Sequence, residues 1–472
     1  MPQPLLPDVW FDIQDGALGI LPPPTDGVSA KIGVATAGPV NQIVAVTNLK
    51  QVQDVFQGGP LAEALATHLA LSGAPVYAVR TNASVAGAAG SVTKTGTGTG
   101  SMTVAGAPLD AYSVQVKVTR DGTNLAAGTA AFQYTLDGGD NWSPEIALPV
   151  SGTYAIPGTG LTLTFTNGVS GTSFAKDDLY SFACTAPAYT LSDLNTSLDA
   201  LLGDPREWGW VHVVGAATPA IAAGVATKMQ QAETAYRFAF ALLEAPDDTD
   251  ANLLTTWASF ADKRVAVAGG YAELASPLTG QVYKRSVAWP ASGRLAAIPV
   301  HEHLGRVITG PVQGVVSLYR DEFKSPGLDE QFFTTMRTII GRNGFYFTRG
   351  RIKAPAGSDF QYIENRRVMD RACRIARNAA LRYLNDSVRV DAAGNIYEPD
   401  ARAIEAFVEG QLIAGLIAPG HASAVQVSLK RDSNMLSTRS ATLTVRVRPL
   451  GYLEYIETDI GFSNPALEVA AA

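Results

Sequence analysis

Residues 31–81 read "KIGVATAGPVNQIVAVTNLKQVQDVFQGGPLAEALATHLALSGAPVYAVRT". Within this stretch "KIGVATAGP" and "QIVAV" have the short, β-branched runs of strands, and "NLKQVQDVF" has the spacing of a short helix. "PLAEALATHLALSG" predicts a longer helix that stops at Gly73, and "PVYAVRT" a buried strand. Strands that alternate with helices specify an α/β sheet.

The pattern breaks after this block. "ASVAGAAGSVTKTGTGTGS" is small and Gly-rich, and its composition is that of a linker. Short alternating runs follow, among them "YSVQVKVTR", "AAFQYTL", "LTLTFTN" and "DLYSFACTAP", with turn signals at Asp121-Gly122 and Asp137-Gly138-Gly139. They predict an all-β sandwich or barrel inserted into the α/β core. From residue 189 the α/β pattern resumes: "LSDLNTSLDALLG" predicts a helix capped at Ser192 or Asp193, and "WGWVHVVGAA", "RFAFALLEAP" and "RVAVAGGYAEL" predict strands. "LDEQFFTTMRTIIGRNG" is expected to be a helix closing at Gly341 or Gly344, before a long helix in "YIENRRVMDRACRIARNAALRYL".

The ends differ from the middle. Residues 1–30 carry many prolines, which suit neither a helix interior nor a central strand, yet Val9, Trp10, Phe11 and Ile13 are apolar enough to bury. An extended arm with an apolar anchor is one reading, and a loose tail the other. At the opposite end Leu443, Val445 and Val447 alternate with Thr442, Thr444, Arg446 and Arg448. Beyond Pro449 and Gly451, Ile456, Ile460 and Phe462 share one parity while Glu457 and Asp459 share the other. A second strand begins where the chain has little left to pair with it. The division is therefore 1–30 amino-terminal arm, 31–89 first part of the core, 90–188 inserted β domain, 189–448 second part of the core and 449–472 carboxy-terminal arm.

Composition narrows the function. The chain has 472 residues, 46% hydrophobic and 17% charged, with a net charge of −7, which argues against a general phosphate-tracking surface and hence against direct nucleic-acid binding. Two cysteines far apart, Cys184 and Cys373, make no disulfide framework. The amino terminus lacks the basic and apolar regions of a signal peptide, and no apolar run reaches the roughly 18–20 residues that cross a bilayer, so membrane insertion is not expected. The phosphate-loop, dinucleotide and nucleophile-elbow motifs are missing. His301, Glu302 and His303 form a weak metal candidate, because two histidines on one strand face would still need a third ligand. Asp247, Asp248 and Asp250 read as a solvated turn that caps a helix or as an acidic contact for another chain. No catalytic, cofactor or metal site is predicted.

The long helix is more informative. Arg367, Arg371, Arg374 and Arg382 fall on one face, beside an apolar seam of Val368, Ala372, Ile375 and Ala379. A solvated cationic face is the plain reading. Arginine forks also grip carboxylates, which makes docking onto the acidic patches of identical copies, Asp247 and Asp248 included, the alternative.

Several of these segments resemble contractile tail sheath proteins. The matching positions in the first α/β unit are Gly33, Gly38, Pro39, Phe56, Gly73, Val79 and Arg80. "WPASGRLAAIPVHEHLGRVITGP" is similar to the sheath segment before the last helices, at Pro290, Ser292 and Gly293, and "SDFQYIENRRVMDRACRIARNAALRYL" to the long sheath helix. The resemblance covers most of residues 28–82 and 189–465, and the order of the motifs carries it. It implies a structural subunit of a phage tail or tail-like particle, assembled in the bacterial host cytoplasm. Such subunits stack as helical, hexameric rings around an inner tube, with baseplate and terminator proteins at the ends, and contract to drive the tube through an envelope. It also implies that the arms add strands to neighbouring copies, Val9, Trp10, Phe11 and Ile13 at one end and Tyr452, Tyr455, Ile456, Ile460 and Phe462 at the other. The inserted domain then faces outward. The rival readings are another phage structural protein, such as a baseplate or capsid component, and an α/β enzyme with a β accessory domain.

Overall fold

The structure is a computed structural model that describes residues 25–462. The expected anchor of Val9, Trp10, Phe11 and Ile13 lies outside the described residues. Seven strands make the central sheet, in the order Phe333–Thr334, Val265–Ala268, Phe240–Glu244, Trp210–Ala216, Ser29–Gly33, Val76–Arg80, Ile43–Val46. All pairs are parallel except the last, where Ile43–Val46 runs antiparallel to Val76–Arg80. A parallel sheet must be covered on both faces, and this one is. Leu61, Leu65, Trp289 and Leu295, from the helices Pro60–Ser72 and Ala288–Ala297, pack on one face. Leu194, Leu198, Val225, Met229 and Trp257, from Leu191–Gly203, Pro219–Thr234 and Asp250–Trp257, cover the other. Among the described residues no helix is long and apolar enough to cross a membrane.

The helix signals lie close to where the sequence places them. Pro60–Ser72 ends on Gly73 in the left-handed conformation. Leu191–Gly203 starts two or three residues earlier than expected: Thr190 is the N-cap, and Asp193, three residues on, reaches back to its backbone as a capping box. Thr249, not an aspartate, caps Asp250–Trp257, while Asp248 accepts from the Thr249 amide.

Two expectations are overturned. Residues 328–344 are not a helix. Phe333–Thr334 joins the edge of the central sheet, and Met336–Ile339 pairs with Arg342–Phe347 as a hairpin. Thr334, Thr335, Thr338 and Ile339 are β-branched, and a free sheet edge outweighs the helical spacing of Phe332 and Met336. The Gly-rich segment is not a linker either, because Thr93–Thr95 and Ser101–Ala105 are strands within it. A Cβ on Gly98 would stand 2.0 Å from an Asp178 carboxylate oxygen, so the glycine serves close approach and not flexibility.

Nine strands between Ala88 and Thr185 form a three-stranded and a six-stranded sheet whose side chains meet in one cluster around Val116, Phe132, Leu163, Phe165 and Tyr180. Tyr283 of the core adds its ring to that cluster, and Arg285 pairs with Asp110 at 2.8 Å.

The last layer is the long helix Ile363–Leu381, the helix Glu398–Leu412 with a π turn at Ile413–Ile417, and a two-stranded hairpin of Ala424–Leu429 and Leu443–Arg448. Val368, Ala372, Ala379, Val408 and Leu412 form its core, on which Val427 of the hairpin packs.

Candidate interaction surface at the carboxy-terminal arm

An isolated two-stranded hairpin is marginal in water, and this one is held by its inner face. Val427 and Leu429 are buried, at 7% and 6% exposure. Leu443, Val445 and Val447 on the other strand are only half-buried, while Thr444, Arg446 and Arg448 face solvent. Among the described residues no strand pairs with either outer edge of the hairpin.

Residues 449–462 cross the surface as a strap without regular structure. Among the described residues the strand expected there does not form, because Tyr452 and Glu454 hold the arm against His301 and Arg349. Tyr452 and Glu454 point inward. Tyr452 Oη donates to the His301 carbonyl at 2.5 Å, and Glu454 pairs with Arg349 Nε at 2.9 Å. Arg349 is itself held by Asp329 at 2.6 Å and donates to Tyr455 Oη. The strap roofs a cleft of about 640 Å³ whose walls include His303, Arg337 and Phe347. Beyond it Ile456, Ile460 and Phe462 stand in solvent, at 76%, 92% and 109% exposure.

His303 lies under the strap between two carboxylates, Glu454 at 3.6 Å and Glu364 at 3.7 Å. Glu364 is 1% exposed and neither of its oxygens is hydrogen-bonded. Burial raises its pKa to about 8 and lowers that of His303. His301 turns elsewhere, with Nδ1 2.7 Å from Nδ1 of His421. The segment is a turn and not a strand, so the two histidines share no face. Among the described residues no group of three or more His, Cys, Asp or Glu side chains can hold a metal ion.

The arginine face requires the largest correction. Arg367 is buried and donates to the carbonyls of Leu295 and Pro299. Arg371 pairs with Asp26 and with the Gly415 carbonyl, and Arg374 with Asp26 and the Trp208 carbonyl. These three side chains are bound inside their own chain, because the helix face that carries them turns toward the core. Arg382 alone is exposed, lying over the Phe407 ring. Asp247 is exposed and pairs with Lys284, and exposed Asp248 bonds locally to Thr249 and Asn252. Sequence reasoning missed Asp26, Arg349 and Glu364, since nothing local marks an isolated acid or arginine whose partner is remote.

The fold, built on a doubly covered parallel sheet with a β-rich block at residues 88–185, is similar to that of chains from contractile sheaths. The PVC sheath complex of an extracellular contractile injection system in contracted state is similar at TM-score 0.56 and 10% identity, over 98% of this chain and 99% of that one. The contracted helical sheath of the anti-feeding prophage gives 0.54 and 12%, over 97% and 99%. A chain of the same prophage's contracted baseplate gives 0.55 and 15%, over 98% and 100%. The chain belongs to the DUF2586 family, whose N-terminal domain matches residues 6–351 and whose C-terminal domain matches residues 359–467. No curated protein matches it.

Proposed function

We propose that this protein is the sheath subunit of a contractile tail or tail-like particle, structural and not catalytic. The observation that carries the reading is the terminal hairpin, neither of whose outer edges is paired among the described residues, next to an extended arm with exposed Ile456, Ile460 and Phe462. An open edge and an unpartnered strand on the same molecule join copies head to tail, and a contact that does not close on itself builds a helical array. Backbone ladder bonds between copies do not depend on the angle between their cores, so cores can slide while the mesh stays connected. Contraction then exchanges one set of core contacts for a more favourable one, from a kinetically trapped array.

The partners that follow are identical copies in stacked rings, hexameric by analogy with sheaths, around an inner tube protein, with baseplate and terminator proteins at the ends. Such a particle is assembled in the host cytoplasm. The block 90–188 projects outward and the arms 1–30 and 449–472 cross to neighbours. Negative-stain microscopy of purified protein tests this. Long hollow tubes from the full chain, and none from a chain ending at Pro449, are expected; tubes that persist without the arm sink the reading.

A further inference from the structure

A cavity of about 160 Å³ opens at the edge of the central sheet, between the end of the helix Asp250–Trp257, the edge strand Phe333–Thr334 and the segment that follows Lys353. Trp257, Phe260, Phe332 and Phe333 supply aromatic walls, and Gln331, Pro355 and Ala356 at its rim are exposed. Phe332 holds φ at +62°, a costly conformation for an aromatic residue. An apolar space of about 150 Å³ is enough to hold a benzene ring.

Lys353 is the charged side chain in this wall. It is 5% exposed, and its Nζ donates to the Gln331 carbonyl at 2.8 Å and stands 3.5 Å over the centre of the Phe333 ring. The buried cations Arg264 and Arg285 are each paired with a carboxylate, of Asp370 and Asp110. Among the described residues no carboxylate pairs with Lys353, and burial alone lowers its pKa to about 7. Asp262, whose amide donates to the Lys353 carbonyl, turns its own carboxylate to Gln230 and to the Arg264 amide. Trp257 is 1% exposed, and its Nε1 has no hydrogen-bond partner. A buried ammonium without a counter-ion is costly, and an anion entering between the rings offsets that cost. One positive charge matches one negative charge. A phosphate dianion would bring a second charge with nothing to meet it and would leave the rings bare, whereas a carboxylate on a flat apolar body satisfies both the amine and the walls.

We propose that the cavity walled by Trp257, Phe332 and Phe333 is a binding site for a small organic carboxylate, free in solution, whose charged end meets Lys353 Nζ and whose flat apolar body lies among the rings. Such a site holds whether or not copies of the chain stack into a sheath. Its occupant ties the sheet edge to the helix Asp250–Trp257 and to the segment after Lys353, which the lysine and the rings join from three parts of the chain.

Benzoate is the probe, titrated by calorimetry into the full chain below pH 7. Saturable binding of one benzoate per chain is expected. Lys353→Met keeps the unbranched stem and loses the charge. It should weaken benzoate binding about tenfold or more, and the chain should still fold, because an unpaired buried charge is removed. Benzyl alcohol, which carries the same ring without the charge, should bind both chains equally and the unaltered chain more weakly than benzoate does. Affinity for benzoate should fall as pH rises through about 7, where Lys353 gives up its proton, and the variant should lack that dependence. No saturable binding to the unaltered chain, or equal benzoate affinity in the two chains, overturns the proposal. Should Lys353→Met fail to fold, the unaltered chain decides alone: an affinity that stays constant through pH 7 overturns it. Benzoate shut out of assembled tubes, together with lost assembly in Lys353→Met, would overturn it too, by giving the site to an acidic side chain of a neighbouring copy.

Discussion

Asp26 and Arg371 stand 345 positions apart in sequence and 2.6 Å apart in space. With Arg374 on the same carboxylate, they fasten the root of the amino-terminal arm to the long helix at a site where Asp26 is 7% exposed. Removing one partner of a buried pair strands the other charge, a loss on the order of 3 kcal/mol. Asp26→Ala is therefore expected to lower the unfolding midpoint of the monomer in urea. Arg371→Glu should lower it as well, instead of giving a folded chain that fails to assemble. An unaltered midpoint with lost assembly would return these arginines to the surface role expected from the sequence.

The strap is a separate, local structure. Tyr452→Phe removes only the hydroxyl that reaches the His301 carbonyl. One hydrogen bond of this kind contributes about 1 kcal/mol. Amide exchange across residues 449–462 should quicken several-fold, with the global unfolding midpoint unchanged. Protection that stays the same would show that the strap is held by Glu454 and Arg349 alone.

Glu364 makes stability depend on pH. Burial raises its pKa from 4.5 to about 8 in the folded chain. A carboxyl raised by folding contributes full stability below its unfolded pKa and loses it as pH climbs through the folded value. Stability should fall between about pH 4.5 and pH 8, by up to roughly 5 kcal/mol from this group alone. Glu364→Gln, which stays neutral, is expected to flatten that slope in pH-dependent urea unfolding. Part of the slope should remain, because Glu63 and Glu244 are raised by burial to about 7. An identical slope in the variant would refute the assignment.

The β-rich block is fastened as well as inserted. Its Asp110 neutralises Arg285, and both side chains are buried, at 4% and 6% exposure. A chain without residues 90–187 is expected to assemble still, but with a lower unfolding midpoint, since Arg285 is then buried without its partner. Adding Arg285→Met to that chain should recover part of the loss. Failure of the shortened chain to form tubes, with a normal monomer midpoint, would place the block in the assembly contacts.

The α/β core was readable because its signals are local. Strand and helix periods in residues 31–81 follow from the spacing of Ile32, Val44, Phe56, Leu65 and Val76, and Gly73 ends its helix through its own backbone freedom. Residues 328–344 were misread because the helical spacing of Phe332 and Met336 was outweighed by a sheet edge that only the assembled core supplies. The Gly-rich run was misread because composition does not distinguish a glycine kept for flexibility from one kept so that Asp178 can approach. The apolar seam of the long helix was legible. The fate of its arginines was not, since their partners at Asp26, Leu295 and Trp208 are remote in sequence.

The sequence by itself determined the alternation of strands and helices, the β-rich interruption and the apolar-acidic alternation of the terminal arm, because each depends on residues within a few positions of one another. Only the tertiary structure decided that the arginine face is internal, that Tyr452 and Glu454 hold the arm against His301 and Arg349, and that one hairpin edge is left incompletely covered. Those outcomes depend on which distant groups meet after the sheet has been covered on both faces, and hydrogen bonds and ion pairs between such groups leave no periodic trace along the chain.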